Sequence, residues 1–135
     1  IEKNVICDEV IAQVGYSTYQ PKNFKAVKFV QMDEFNTLVG NSNYVITHGG
    51  TGSITSALGL NKKVIAIPRL QRYGEHLDDH QIEIIKQFSE KGHIIAAYSV
   101  DDLEDAIASI EEFTPVPFKS GTERLFLLLR ILLTP

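Results

Sequence analysis

Apolar runs of strand length and apolar positions of helical period alternate along most of this chain. Strands are predicted where β-branched and aromatic residues run together, at Val10–Val14, Val27–Val30, Tyr44–Thr47, Val64–Ile67 and Ile94–Ala97. Between the later runs the apolar period changes to that of a helix. It predicts helices from Asp33 through Val39, from Thr51 or Ser53 through Leu60, from Asp79 through Lys91 and from Asp101 or Asp102 through Ile110, with those polar residues at the N-caps. Gly92 stands where the third helix should end. Continuous apolar strands separated by helices predict an α/β fold, a Rossmann-like parallel sheet with helices on both faces.

Such sheets bind ligands at the carboxyl ends of their strands. Thr47-His48-Gly49 and Pro68-Arg69 both fall at such ends, so the turn after the third strand and the loop after the fourth should line one crevice. Further along, Phe113–Ser120 holds Pro115 and Pro117 and reads as an extended connection. Residues 121–133 then predict a C-terminal helix that is apolar nearly all round, with Arg124 and Arg130 as its charged exceptions. Such a helix seeks burial against the domain, a protein partner or a membrane surface. The run Leu125–Leu133 is far shorter than the roughly 20 residues that cross a bilayer.

Composition narrows the picture only a little. A chain of 135 residues supports a single domain over residues 1–135, and a formal charge of −4 without a long basic run excludes a general nucleic-acid footprint. Cys7, the one cysteine, has no internal disulfide partner and reads as packing, which fits a reducing cytosol. The chain begins at Ile1 with nothing resembling a signal peptide, so residues are expected to be missing at the front.

The densest chemical signal is Val45-Ile46-Thr47-His48-Gly49-Gly50-Thr51-Gly52-Ser53, an apolar strand emptying into a glycine-rich turn at the start of a helix. Glycines there are expected to take positive φ and bring main-chain N–H groups close to an anion, with the positive end of the helix aimed at the same place. No Lys-Ser/Thr follows for a Walker-type loop, and the spacing is not G-x-G-x-x-G. A turn that merely hydrogen-bonds itself is the bland alternative. Beside it, His48 is either an acid/base or phosphate contact or a residue holding the turn.

The second cluster runs from Arg69 to Gln81, after the fourth strand. Arg69 and Arg72 are suited to a diphosphate or an acidic acceptor, or form a solvated face. Glu75, Asp78 and Asp79 are candidates for a base, although Asp79 is equally a cap. His76, His80 and Glu83 have a spacing that would bind a metal on a helix, but Pro68 and Gly74 argue against a helix at His76. Tyr16, Tyr19 and Phe24, after the first strand, could stack on a base or sugar but are expected to pin their loop to the core.

A strand, His-Gly-Gly-x-Gly-Ser, an Ala/Leu-rich helix, an apolar strand ending in Pro and a His-Gln pair opening another helix together resemble the nucleotide-sugar half of family 28 glycosyltransferases. Within the family the chain is similar to small catalytic subunits of two-part UDP-sugar transferases, including bacterial capsule and exopolysaccharide subunits. The likeness covers roughly Val5 to Ala108. It implies the C-terminal, donor-binding half of a GT-B enzyme, an inverting hexosyltransferase that extends a lipid-linked saccharide. By the same analogy Gly49, Gly50, Thr51, Gly52 and Ser53 would hold the diphosphate of a UDP-sugar, and His80 and Gln81 would reach its sugar or ribose. Arg69 and Glu75 join the donor site, and no cofactor or metal is implied. The implied partners are a UDP-sugar, a lipid-linked saccharide acceptor and a membrane-associated acceptor-binding subunit docked through the C-terminal helix, which would hold the chain at the cytoplasmic face of the membrane. One departure stands out: the family's usual opening strand with a Gly-Thr-His-type turn is absent before Val5. A nucleotide-sugar-binding module without turnover therefore remains an alternative; a UDP-sugar epimerase fits less well, since those carry both halves in one long chain.

Overall fold

The computed structural model describes Ile6, residues 8–75, residues 77–119 and Gly121. The segments 1–5 and 122–135, with Cys7, His76 and the expected apolar helix at 121–133 beyond its first residue, lie outside the described residues. Among the described residues five strands and four α-helices follow one another: β1 (Ile11–Gln13), β2 (Lys25–Val27), α1 (Met32–Asn41), β3 (Tyr44–His48), α2 (Thr51–Gly59), β4 (Lys63–Ile67), α3 (His80–Glu90), β5 (Ile95–Ala96) and α4 (Val100–Ser109). A single 3-10 turn, Gln71–Tyr73, lies between β4 and α3. All strand pairs are parallel, hydrogen-bonded as a two-stranded sheet, β1-β2, and a three-stranded sheet in the order β3-β4-β5.

The alternation of side chains along β4 explains why helices cover both faces of the larger sheet. Val64 and Ala66 point into a cluster with Ile54, Ala57 and Leu58 of α2 and Ile85 of α3, whereas Ile65 packs with Ala97 and with Ala106 and Ile110 at α4. Val64, Ile65 and Ala66 are all fully buried. Burying an aliphatic side chain of Val or Ile size contributes about 1.5–3 kcal/mol, so a strand that is apolar on both faces is held only when both are covered.

Local signals set the helix ends. Gly92 is in the left-handed region at φ +73°, and His93 N–H donates to Phe88 O at 3.0 Å while Gly92 N–H donates to Ser89 O at 2.8 Å, the paired bonds of a Schellman ending for α3. Two adjacent lysines at the start of β4 cap two other helices. Lys62 Nζ donates to Gly40 O at 2.6 Å in the last turn of α1 and to Ser42 O at 2.9 Å just after it, while Lys63 Nζ donates to Ile110 O at 3.1 Å and to Glu111 O, beyond α4.

Three sequence expectations are corrected. The second strand lies at Lys25–Val27, not Val27–Val30, because it is defined by its register against β1 (Ile11 opposite Lys25), while Phe29 in the apolar run stands 58 % exposed. Gln31, not Asp33, is the N-cap of α1, and Asp33 lies in its first turn, where a carboxylate suits the helix dipole. The N-cap of α4 is Ser99, whose Oγ accepts Asp102 N–H at 3.1 Å; Asp102 in turn accepts Tyr98 N–H at 2.9 Å. The two acidic residues sit inside the helix because the shorter serine reaches the open amide from outside it.

Candidate functional site

The glycine-rich turn joins β3 to α2, and its glycines are there for closeness, not for backbone handedness. None of Gly49, Gly50 and Gly52 has positive φ, which corrects the expectation from sequence; among the described glycines that property belongs to Gly15, Gly74 and Gly92. A Cβ on Gly49 would stand 2.8 Å from Gln81 Cβ and 3.0 Å from Ile85 Cδ1, and one on Gly50 would strike the His48 ring at 2.4 Å. Gly52 is different: a Cβ there would meet nothing within 4 Å. Packing within the protein thus explains the first two glycines, and open space lies in front of the third.

Gly50 is the N-cap of α2, and no side chain caps the helix. The amides of Thr51, Gly52 and Ser53 in the first turn have no acceptor within the helix, and the helix dipole adds its positive end. No acidic residue stands in that turn. His48 donates nothing through Nδ1, which instead accepts Gly50 N–H at 3.0 Å. A neutral imidazole that accepts through Nδ1 carries its proton on Nε2.

The loop after β4 is held open by its own carboxylates. Glu75 Oε2 accepts Leu70 N–H at 3.1 Å, Asp79 Oδ1 accepts Gln71 N–H at 2.9 Å and Asp78 Oδ1 accepts His80 N–H at 3.0 Å. Gly74, at φ +69°, closes the 3-10 turn that carries Arg72, whose guanidinium lies 4.8 Å from the centre of the Tyr73 ring. Buried beneath, Gln81 accepts two main-chain N–H groups through Oε1, Gly49's at 3.1 Å and Arg69's at 3.0 Å.

The carboxyl ends of β3, β4 and β5 enclose one cleft of about 540 Å³. His48, Arg69, Arg72 and Glu75 face it together with Tyr98 and Ser99, over a floor that includes Ile46 and Ile67. Burial pushes the Tyr98 phenol above its ordinary value, with Glu90 and Asp102 adding to the effect, so it stays a neutral hydrogen-bonding group.

His48, Arg69 and Glu75 therefore share the cleft, as the strand-end rule predicts, and the amides of Thr51, Gly52 and Ser53 lie at the helix start directly after His48. The His-Gln pair divides. His80 is exposed at the start of α3 with Nδ1 3.9 Å from Glu83 Oε2, and Gln81 is 5 % exposed; neither lines the cleft. Tyr98 and Ser99 escaped the sequence reading, although their place just beyond β5 was available from the same rule that located Arg69. The expected packing role of the first loop is also revised: Tyr16 is 94 % exposed, meets Phe29 edge-on at 5.1 Å and with Tyr19 and Phe24 lines a second hollow of about 650 Å³. Among the described residues no His, Cys, Asp and Glu side chains group to hold a metal ion, and no helix is long and apolar enough to cross a membrane.

Comparison with known proteins agrees with the α/β architecture. The family described as Glycosyltransferase family 28 C-terminal domain matches residues 2–125. Three of the similar proteins, each named UDP-N-acetylglucosamine transferase subunit ALG13, illustrate the likeness. That of Candida glabrata is 28 % identical over 127 residues, 93 % of this chain and 61 % of its own length. The Candida albicans protein is 31 % identical over 93 residues, 69 % of this chain and 30 % of its own, and the Cryptococcus neoformans protein 36 % over 84 residues, 62 % and 40 %. The chain thus spans between about a third and three fifths of the length of these relatives.

Proposed function

The chain belongs to the glycosyltransferase family 28 C-terminal domains, and from that premise we propose that it is the donor-binding subunit of a UDP-sugar-dependent hexosyltransferase. The observation that carries the reading is the pairing of an uncapped helix N-terminus with a two-arginine loop at the carboxyl ends of one parallel sheet. A nucleoside diphosphate is suited by that combination. Main-chain amides of Thr51, Gly52 and Ser53 suit phosphate oxygens, Arg69 and Arg72 offset their charge, and His48 lines the same cleft. The leaving UDP is then stabilised by fixed donors, and no metal enters. The floor of Ile46 and Ile67 and the neutral phenol of Tyr98 suit the nucleoside.

In this reading the acceptor is a lipid-linked saccharide, transferred to with inversion, and a second, membrane-associated subunit presents it. Support comes from the names of the relatives, each a UDP-N-acetylglucosamine transferase subunit. The place of work follows as the cytoplasmic face of a membrane, in assembly of a capsule or exopolysaccharide.

A calorimetric titration with UDP, UDP-N-acetylglucosamine, UDP-glucose, UDP-galactose and a deoxythymidine diphosphate sugar tests the donor assignment. Selective binding of one UDP-sugar, lost when Arg69 and Arg72 are both replaced by Met, is expected. Equal binding of all nucleotides, none, or binding untouched by the double substitution overturns it. One observation favours the reading of a binding module without turnover: Glu75 is the only carboxylate among the described residues lining the cleft, and it already holds Leu70 N–H. Donor hydrolysis or transfer by the chain, lost in Glu75→Gln, would set that second reading aside.

A further inference from the structure

The loop between β1 and β2 takes no part in the donor cleft. Parallel strands are joined as a rule through a crossover helix, yet residues 14–24 pass from β1 to β2 without one. The loop is nonetheless built. Val14 N–H donates to Val27 O and Gly15 N–H to Lys28 O, both at 2.9 Å, and Ser17 N–H donates back to Val14 O at 3.0 Å. Gly15, at φ +57°, turns the chain through the left-handed region, and Tyr16 beyond it meets Phe29 edge-on at 5.1 Å. Ser17 Oγ accepts Tyr19 N–H at 3.2 Å. With this frame in place Tyr16, Tyr19 and Phe29 still stand between 58 % and 94 % exposed, so packing among the described residues does not account for three aromatic rings gathered there.

We propose that the hollow of about 650 Å³ between this loop and β2 is a saccharide-binding subsite. Its volume is that of a small-molecule site. Tyr16, Tyr19, Phe24 and Phe29 line it with ring faces, negative at their centres, which suit the apolar C–H face of a pyranose. Ser17, Thr18 and Gln20 line it with hydroxyl and amide groups that both donate and accept, as the hydroxyl rim of a sugar requires. Lys28 is the only charged residue of the lining among the described residues. The hollow therefore lacks the paired cations or helix amides that suit a diphosphate, and an acyl chain would leave its polar side chains unmet. No lining residue is shared with the donor cleft, so the two sites are expected to fill independently. Use of the bound saccharide in a transfer reaction rests on the donor reading above; the subsite itself does not.

The experiment follows the tyrosine ring resonances of the chain by NMR during titration with methyl N-acetyl-β-glucosaminide, chitobiose, cellobiose and maltose, each to about 20 mM, which covers affinities of a few kcal-scale contacts. At least one sugar should move the Tyr16 and Tyr19 rings saturably, and added UDP should leave those shifts in place. Tyr16→Ala and Tyr19→Ala should each weaken that sugar about fivefold or more, while Tyr16→Phe and Tyr19→Phe, which keep the ring face, should hold it within about twofold. Rings unmoved by every sugar overturn the proposal, as do sugar affinities untouched by both alanine substitutions. Loss of the sugar shifts on adding UDP overturns it as well, by making the hollow part of the donor site. So does a proline-rich peptide that moves the same rings when the sugars do not, since aromatic grooves also dock such segments. Should an alanine variant fail to fold, the ring shifts of the unsubstituted chain with and without UDP decide. None of these readings requires that UDP bind, so failure of the donor assignment and failure of the subsite are separable.

Discussion

Adding one methyl group at Gly49 and one at Gly52 should have opposite effects, although the glycines stand three residues apart in the same motif. At Gly49 the new Cβ meets Gln81 Cβ at 2.8 Å, Gln81 O at 3.0 Å and Ile85 Cδ1 at 3.0 Å, all on α3. Two of these three atoms belong to the start of a packed helix that cannot simply rotate away. Overpacking of this kind costs about 1–3 kcal/mol. Displacing Gln81 also lengthens its bonds to the Gly49 and Arg69 amides, which adds roughly 1 kcal/mol. The sum, about 2–4 kcal/mol, lowers the urea midpoint by about 1–2 M if the slope is about 2 kcal/mol/M. At Gly52, inside the first turn of α2, nothing lies within 4 Å and φ is not positive, so alanine gains up to about 1 kcal/mol from backbone entropy. Gly52→Ala should therefore leave the midpoint unchanged or raise it, while weakening UDP binding by placing a methyl group before the amides. Equal destabilisation by both substitutions would refute the distinction between a packed and an open glycine. A stable Gly52→Ala that binds UDP as the parent does would refute the ligand's place at that turn.

Three further outcomes test the supports of the cleft. Ser99→Ala removes the oxygen that accepts Asp102 N–H at the start of α4 and should cost about 1 kcal/mol by urea unfolding, with little change at Ser99→Asn. Lys63→Met leaves the carbonyls of Ile110 and Glu111 without their shared donor and should cost about 1 kcal/mol, whereas Lys91→Met, on an exposed residue after α3, should be near neutral. Burial holds Tyr98 protonated beyond its ordinary value of 10.0, so the folded chain binds more protons than the unfolded one above that pH and stability falls as pH rises further. Tyr98→Phe should make this alkaline limb shallower in thermal unfolding from about pH 9 to 11 and leave stability near neutral pH free of any pH slope of its own.

The architecture was legible because β4 and its neighbours announce themselves twice, by apolar continuity and by the helical period that follows. A strand buried on both faces, as Val64, Ile65 and Ala66 are, has no polar alternation to obscure it. β2 was misplaced for the complementary reason. Its residues, Lys25-Ala26-Val27, carry no apolar run, and only the parallel register with Ile11, Ala12 and Gln13 makes them a strand. Pairing partners across an intervening loop leave no mark in local sequence. The same holds for Ser99: Asp101 and Asp102 look like caps, and the choice among three polar residues within four positions rests on a 3.1 Å contact.

The site was legible in place but not in mechanism. The strand-end rule put His48 and Arg69 in one cleft, and applied once more to β5 it would also have supplied Tyr98. What the motif could not show is which glycine answers to the protein and which to a ligand. Gly49 is fixed by Gln81, which tertiary packing brings from 32 residues away, and Gly50 by the ring of His48 two residues before it, folded back on the turn. Only Gly52 faces open space. In the same way His48 Nδ1 and the oxygen of Gln81 each accept main-chain amides. Polar groups in a motif first satisfy the buried amides around them, and those left over, here the amides of α2 and the guanidinium groups of Arg69 and Arg72, are the ones a diphosphate would meet.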